Sequence, residues 1–311
     1  MRALVTGGAG FIGSHVVEAL LAQGHQVLAL DDLSSGKREN VPPAARLEVV
    51  DVRDAAAVEW VFAEFKPDIV SHQAAQVSVS ISTREPVRDA QINILGSLNV
   101  LEAAAKHGVQ RVVFASTGGA IYGEVEEGTR ATLKTVPLPL SPYACSKFAV
   151  EAYLRRYRHE RGLESTVLRY ANVYGPRQDP HGEAGVVAIF TERVLAGQPV
   201  QVNARRTVGD GGCVRDYVYV DDVVRTNIRA MLGEIGAPIV NVASGVPTTT
   251  RELLASIEAG CGVKAEITQG GRRIGDVERS LLEPSLDAMG SITSLADGIA
   301  QTVAWFRART S

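Results

Sequence analysis

Arg2-Ala3-Leu4-Val5-Thr6 followed by Gly7-Gly8-Ala9-Gly10-Phe11-Ile12-Gly13 decides the fold of this 311-residue chain. The first five residues form a short apolar strand, and the glycines at 7, 10 and 13 follow at once. A helical pattern then runs over His15–Gln23, and a second apolar strand, Gln26–Leu30, ends at Asp31. Absent side chains at Gly7, Gly10 and Gly13 permit a tight turn. They let backbone N–H groups at the helix start, around Phe11 and Ile12, approach a pyrophosphate. An acid closing the second strand, eighteen residues beyond Gly13, suits the hydroxyls of an adenosine ribose. Its charge opposes a 2′-phosphate, so the pattern predicts NAD rather than NADP. Lys37 and Arg38 follow closely and read as a solvated loop.

Outward from this unit the alternation continues. Strands are predicted at Leu47–Val50, ending at Asp51, at Asp68–His72, reaching Ala74 and Ala75, at Gln110–Ala115 and at Ser165–Tyr170. Helices are predicted at Ala55–Phe65, at Val87–Lys106, which carries Asn93, and at Ser141–Arg161. Such alternation means α/β: a Rossmann-type, doubly wound parallel sheet with helices on both faces. An NAD-binding domain is expected over residues 1–170, with Asp31, Asp51, Ala74, Ala75, Ser116 and Thr117 at the carboxyl ends of strands, where ligands gather. After Tyr170 the pattern loosens into the Gly- and Pro-rich stretch Asn172–Gly185. Helices at Val187–Ala196, Val220–Leu232, Arg251–Ala259 and Leu295–Ala308 then alternate with short strands near Ile239–Val242 and Ala265–Thr268. Residues 171–311 are expected to form a smaller mixed α/β substrate domain, with a segment at about 220–245 returning to the first. His72 is read as a core residue, His181 as shaping its loop, and Trp60 and Trp305 as packing residues.

Ser141-Pro142-Tyr143-Ala144-Cys145-Ser146-Lys147 sets a Tyr and a Lys four residues apart, on one side of a helix. Tyr alone is a poor base, with a reference pKa of about 10. A lysine cation fixed beside it favours phenolate, and a bound nicotinamide cation would add to the effect. The same residues also fit a plain helix start in which Tyr packs and Lys is solvated. A net charge of −3 offers no basic excess for nucleic acid. The run Arg155-Arg156-Tyr157-Arg158-His159-Glu160-Arg161 lies at a helix end, where cations complement the dipole. Cys145, Cys213 and Cys261 lie far apart without metal-ligand spacing, which predicts no metal site and a reducing, cytoplasmic setting. No apolar run approaches the ~20 residues needed to cross a bilayer, and no cleavable signal is read at the start.

With these motifs in place the chain resembles the extended short-chain dehydrogenase/reductase family. The likeness runs through TGGAGFIG at 6–13, HQAA at 72–75, Asn93, FASTGGAIYGE at 114–124, SPYACSK at 141–147, LRYANVYGPRQ at 168–178, VRDYVYVDD at 214–222 and RIGDVERS at 273–280. Within the family it is most similar to the UDP-hexose 4-epimerase group. The resemblance implies NAD-dependent epimerisation at C4 of a UDP-hexose through a transient 4-keto sugar, UDP-galactose to UDP-glucose and N-acetylated forms with them. It implies Thr117, Tyr143 and Lys147 as the catalytic set. NAD contacts are implied for Gly7, Gly10, Phe11, Ile12, Gly13, Asp31, Asp32, Ser35, Gly36, Asp51, Val52, Gln73, Ala74, Ala75, Asn93, Ser116, Tyr143, Lys147 and Tyr170. Substrate contacts are implied for Thr117, Tyr143, Asn172, Val187, Arg215, Arg273 and Ser280, with the two arginines and Asn172 on the diphosphate and Ser280 beside the sugar's 2-substituent.

Related dehydratases place an Asp-Glu pair directly after the serine or threonine, and some decarboxylases keep a glutamate near there. This chain has Gly118-Gly119-Ala120-Ile121, without a titratable side chain, which favours epimerisation. A dehydratase, a decarboxylase, another nucleotide-sugar epimerase and an idle NAD-binding sensor are the alternatives. Two departures bear on the details. Val200-Gln201-Val202-Asn203 lacks the aromatic that several relatives set against uracil, leaving the base open. An extra residue in FASTGGAIYG leaves Ser116 as the alternative to Thr117. The family also pairs the helices at 87–106 and 141–161 in a homodimer, and Ile92, Leu95, Leu98, Val150 and Leu154 are expected to serve that contact.

Overall fold

The computed structural model describes residues 1–180, 185–272 and 277–310. Its strands are β1 (Arg2–Thr6), β2 (Gln26–Asp31), β3 (Arg46–Val49), β4 (Ile69–His72), β5 (Arg111–Thr117), β6 (Glu164–Tyr170), β7 (Asn172–Tyr174), β8 (Val200–Asn203), β9 (Val214–Tyr219), β10 (Ile239–Val242), β11 (Pro247–Thr249) and β12 (Ile267–Gly270). Seven of them form one sheet in the order β10-β6-β5-β4-β1-β2-β3. β1 runs parallel to both β2 and β4, pairing Leu4 with Leu28 on one side and Val70 on the other. The strand order turns back there, which makes the carboxyl end of β1 the point where such sheets take ligands.

The chain divides into two units. The first comprises Met1–Thr117, Pro139–Arg169 and Val223–Val240, and the second Gly118–Leu138, Tyr170–Asp222 and Asn241–Ser311. Residues 118–138 therefore group with the second unit, whereas the sequence reading kept them in the first.

In the first unit the helices are α1 (Phe11–Ala22), α2 (Ala55–Phe65), α3 (Val79–Arg84), α4 (Pro86–Ala90), α5 (Ser97–Lys106) and, after the short α6 (Gly118–Ile121) of the second unit, α7 (Pro142–Arg161). Local chemistry sets their ends. Asp54 caps α2 by accepting the Ala57 N–H at 3.0 Å. Ser141 caps α7 at the Ala144 N–H, Pro142 fills its first position, and Gly162 at φ 66° stops it. Leu4, Leu28, Val70, Val112 and Phe114 from the strands pack with Phe62 of α2, Leu101 of α5 and Val150, Leu154 and Tyr157 of α7. Val150 and Leu154, expected at a dimer contact, are core residues of their own chain. Ile92 and Leu98 lean on the same core, and of the five only Leu95 is exposed. Trp60, expected to pack, stands half exposed on α2.

The expected helix at 87–106 is also not continuous. α4 starts with Pro86 and passes into a π-helical stretch, Gln91–Gly96, before α5 begins. There the Ser97 hydroxyl donates to the Asn93 carbonyl at 2.6 Å, a side chain taking a place on the backbone ladder.

The second unit holds a three-stranded sheet, β11-β9-β7, and a two-stranded one, β12-β8. Its other helices are α8 (Val186–Leu195), α10 (Thr250–Cys261), α11 (Leu286–Met289) and α12 (Leu295–Thr310), while α9 (Val220–Met231) leads back into the first unit. A capping box opens α10, Thr249 and Glu252 each bonding the other's backbone N–H. Among the described residues no helix is long and apolar enough to cross a membrane.

Candidate active site

The glycine turn after β1 leaves no room for side chains. Gly7 sits at φ 65°, and a Cβ there would lie 2.7 Å from the Ala74 nitrogen. A Cβ on Gly13 would lie 2.0 Å from the Gly7 oxygen. Phe11 and Ile12 open α1 behind Gly10, ahead of the Ser14 N–H to Gly10 carbonyl bond, with no acidic residue in the first turn. The end of a helix in this state attracts anions. Asp31 is buried at the end of β2 and accepts the Ala9 N–H at 3.0 Å and the Leu33 N–H at 2.9 Å. Burial pushes its pKa up, against those backbone bonds. Gly36 lies against the same carboxylate, where a Cβ would meet Oδ1 at 2.6 Å. Asp32 accepts the Ser34 N–H and hydroxyl, Ser35 is exposed beside them, and Lys37 and Arg38 are exposed.

Asp51 is held by the Arg53 fork, which lowers its pKa. Val52 is buried against Gly96, and Gln73 donates to the Ser71 hydroxyl at 2.9 Å. The Ala74 N–H donates to Thr6 Oγ1 at 3.1 Å, next to Ala75. Thr6 begins a chain of bonds through His72. Ser97 uses its proton on Asn93, so it accepts from His72 Nε2 at 2.9 Å, and His72 Nδ1 accepts from Thr6 Oγ1 at 2.6 Å. Burial, with Lys147 nearby, lowers the His72 pKa to about 3, and the ring is neutral.

Lys147 is the centre of this region. It is 3% exposed. Its Nζ donates to the Ala115 carbonyl at 2.9 Å, and lies 4.8 Å from the Phe114 ring centroid and 5.9 Å from that of Tyr143. Burial lowers its pKa to about 8, opposed by the charge of Asp89. An ammonium has three N–H donors, and the described residues give this one a single acceptor. Nearby, Ser116 donates to Glu151 Oε1 at 2.6 Å, and Glu151 closes onto Arg169 through bonds of 3.0 and 2.6 Å. The next residue, Thr117, ends β5, and its hydroxyl bonds to nothing among the described residues.

In the second unit Asn172 donates one amide N–H to the Asp216 carbonyl at 3.0 Å. Arg215 of β9 is half-buried and spends one donor on its neighbour's carbonyl, that of Val214. Ser280 is buried and donates to the Gly119 carbonyl at 3.0 Å. Val187 on α8 and Tyr170 at the end of β6 are buried as well. Glu124 is occupied by the backbone, accepting the N–H of Glu278 at 2.7 Å and of Arg279 at 3.1 Å. Arg273, Asp276 and His181 lie outside the described residues. Among the described residues no group of His, Cys, Asp or Glu is arranged to hold a metal. The sequence reading passed over Asp89, Asp216 and Glu151, whose partners are distant in the chain.

A seven-stranded Rossmann sheet with this glycine turn and this Tyr/Lys helix defines a class of nicotinamide-dependent enzyme. The chain belongs to the NAD dependent epimerase/dehydratase family, whose model matches residues 3–243. It is 45% identical to a UDP-glucose 4-epimerase of Mycolicibacterium smegmatis over 316 aligned residues covering 99% of both chains. A UDP-glucose 4-epimerase of Thermus thermophilus, solved in complex with NAD, superposes with a TM-score of 0.93 at 54% identity over 99% of both chains. The UDP-glucose 4-epimerase of Thermotoga maritima, solved with UDP-glucose, gives 0.94 at 46% identity over the full length of both.

Proposed function

We propose that this chain is an isomerase that interconverts UDP-galactose and UDP-glucose, using NAD as a resident cofactor. The residues fit a dinucleotide: the turn at Gly7 and Gly13 admits no side chain, and buried Lys147 keeps donors for a ribose. When bound, NAD supplies the reversible hydride acceptor for the sugar C4. Tyr143 takes the 4-OH proton as C4 is oxidised to the ketone and returns it afterwards. Lys147 favours the phenolate and holds the nicotinamide ribose. Thr117 hydrogen-bonds O4; Ser116 is the weaker candidate because Glu151 already holds its hydroxyl. Arg215, Asn172 and Arg273 bind the diphosphate, where arginine forks suit paired phosphate oxygens. The remaining cofactor contacts are those named from the sequence, Asp31 on the adenosine ribose among them.

One observation carries epimerisation over dehydration. The residues after Thr117 offer no acid or base, and the nearest carboxylate along the chain, Glu124, is taken up by two backbone N–H groups. Among the described residues following Thr117, a 4-keto sugar would meet no group to eliminate water at C5 and C6, and return of hydride to the opposite face of C4 would be the outcome left to it. Incubation with UDP-galactose tests this. UDP-glucose should form without net reduction of NAD, and a 4-keto-6-deoxy product would overturn the reading.

The working form is a cytoplasmic homodimer. Free cysteines at 145, 213 and 261 suit a reducing compartment, and exposed Val87, Leu95 and Tyr153 leave apolar surface on the helices that the family pairs. Light scattering at micromolar concentration should return twice the chain mass; a monomer mass would count against the dimer.

A further inference from the structure

Asp89 belongs to none of the sequence motifs, yet it is 1% exposed. Its Oδ1 accepts from Gln76 Nε2 and from Asn93 Nδ2, both at 2.9 Å, and its Oδ2 accepts the Ser146 hydroxyl at 2.7 Å. Asn93 completes the arrangement by pairing with the Gln76 backbone through two bonds of 2.9 Å. A single carboxylate thus ties together the segment leaving β4, the π-helical stretch and the first turns of α7. Its contact on α7 is the residue directly before Lys147. All three donors are neutral, and a buried charge without a counter-ion is costly. The cation that its field reaches is Lys147.

We propose that Asp89 is a positioning residue for the Tyr143/Lys147 pair, holding their helical turn in register with the segment after β4 through its bond to Ser146. This rests on the roles given to Tyr143 and Lys147 above. Other groups around Lys147 do not tie that turn to the segment after β4. His72 on β4 is neutral, and Tyr143 lies on the same helix. Glu151, one turn further on, is closed onto Arg169 and Ser116. From the other elements packed on α7, Arg84 of α3 is exposed and Arg88 of α4 pairs with Glu85. Glu102 of α5 bonds Tyr157, and Arg111 stands at the opposite end of β5 from Ala115.

Asp89→Asn removes the charge and preserves the bonds. Its amide oxygen accepts from Gln76 and Asn93 while its NH₂ donates to Ser146, whose hydroxyl turns round. The alkaline limb of kcat/KM should move down by ~1 pH unit, because the charge near Lys147 is lost. Ser146→Ala cuts one tether and keeps the charge, so kcat should fall by roughly 5- to 10-fold at every pH, with the limb in place. An unmoved limb in Asp89→Asn, or wild-type kcat in Ser146→Ala, overturns the proposal. Should Asp89→Asn not fold, the Ser146→Ala result decides. Wild type and Tyr143→Phe are assayed alongside. If the wild type leaves UDP-galactose unchanged, or Tyr143→Phe keeps its turnover, the reading of the site fails. If both behave as expected and only the limb stays put, the assignment of Asp89 fails alone.

Discussion

Asp89 and Glu151 in the first unit and Asp216 in the second are buried against different partners. In the first, Asp89 faces Gln76, Asn93 and Ser146, and Glu151 faces Ser116 and Arg169, so carboxylates lock the rotamers of other side chains. In the second, Asp216 accepts the N–H of Ser244 at 2.8 Å, of Gly245 at 3.0 Å and of Leu282 at 3.4 Å, besides the Ser244 hydroxyl. Glu124 likewise takes two amides, and Arg279 gives one nitrogen to the carbonyls of Glu126 and Thr129. Bonds between side chains orient reacting groups, whereas bonds to the backbone fix the course of a loop and leave its side chains free to vary. Around the Tyr/Lys helix the first unit sets acid against side chain. At Asp216 the second unit sets acid against backbone.

The largest effect expected from this contrast is on turnover in the first unit. Tyr143→Phe should lower kcat by at least ~10²-fold, as loss of acid–base catalysis does, with bound NAD retained and the unfolding midpoint unchanged. Turnover near wild type would break the assignment. Next is stability in the second unit. Asp216→Ala leaves three backbone N–H groups without their acceptor, and should cost ~3 kcal/mol or more in a urea titration. Unchanged stability would mean that the loops hold their course without it.

A smaller effect concerns acid. His72 has an ordinary pKa of 6.5 and a folded value of about 3. As pH falls from 6.5 towards 3, the unfolded chain takes up a proton that the folded chain refuses. Stability drains away through that window, by ~2 kcal/mol at pH 5 relative to pH 7. His72→Asn should remove this component, so urea titrations at the two pH values should differ less than in wild type. Equal differences would place His72 outside the network.

Smallest is the effect on selectivity. Ser280 is proposed to border the sugar's 2-substituent, and its small side chain predicts that N-acetylated sugars are accepted. Ser280→Tyr should lower kcat/KM for UDP-N-acetylgalactosamine by ~10-fold, with UDP-galactose much less affected. Equal losses on both substrates, or none, would remove Ser280 as the gate.

Legibility in the sequence followed the same division. The glycine turn, Asp31 and the Tyr/Lys helix are contiguous patterns, and the bounds of Ala55–Phe65 could be read because Asp54 caps that helix and its apolar spacing is regular. Val150 and Leu154 were misjudged because a helix covered on several sides carries more apolar residues than one stripe, as a dimerising helix does. The π-helical stretch was invisible because apolar periodicity does not report a turn widened by one residue, nor the Ser97 bond to Asn93 that accompanies it. Asp89, Asp216 and Glu151 escaped for a third reason. They have partners far away in the chain: Ser146 lies 57 residues from Asp89, and Ser116 lies 35 from Glu151.

The π-helical stretch has a further consequence for how this gene tolerates change. An extra residue in a helix is an insertion, and deleting one codon anywhere in 91–96 would let the helix run on with ordinary 3.6-residue turns. A π turn needs about one residue more than an α turn to come round, so the segments on either side would keep nearly the facing they have now. Pro86–Ala90, with Asp89, would still face Gln76 while Ser97 faces His72. A codon lost from an ordinary turn of α5 or α7 would instead swing everything beyond it by about 100°. In a scan of single-codon deletions, those in 91–96 that spare Asn93 should therefore yield folded chains more often than deletions inside α5, α7 or a central strand.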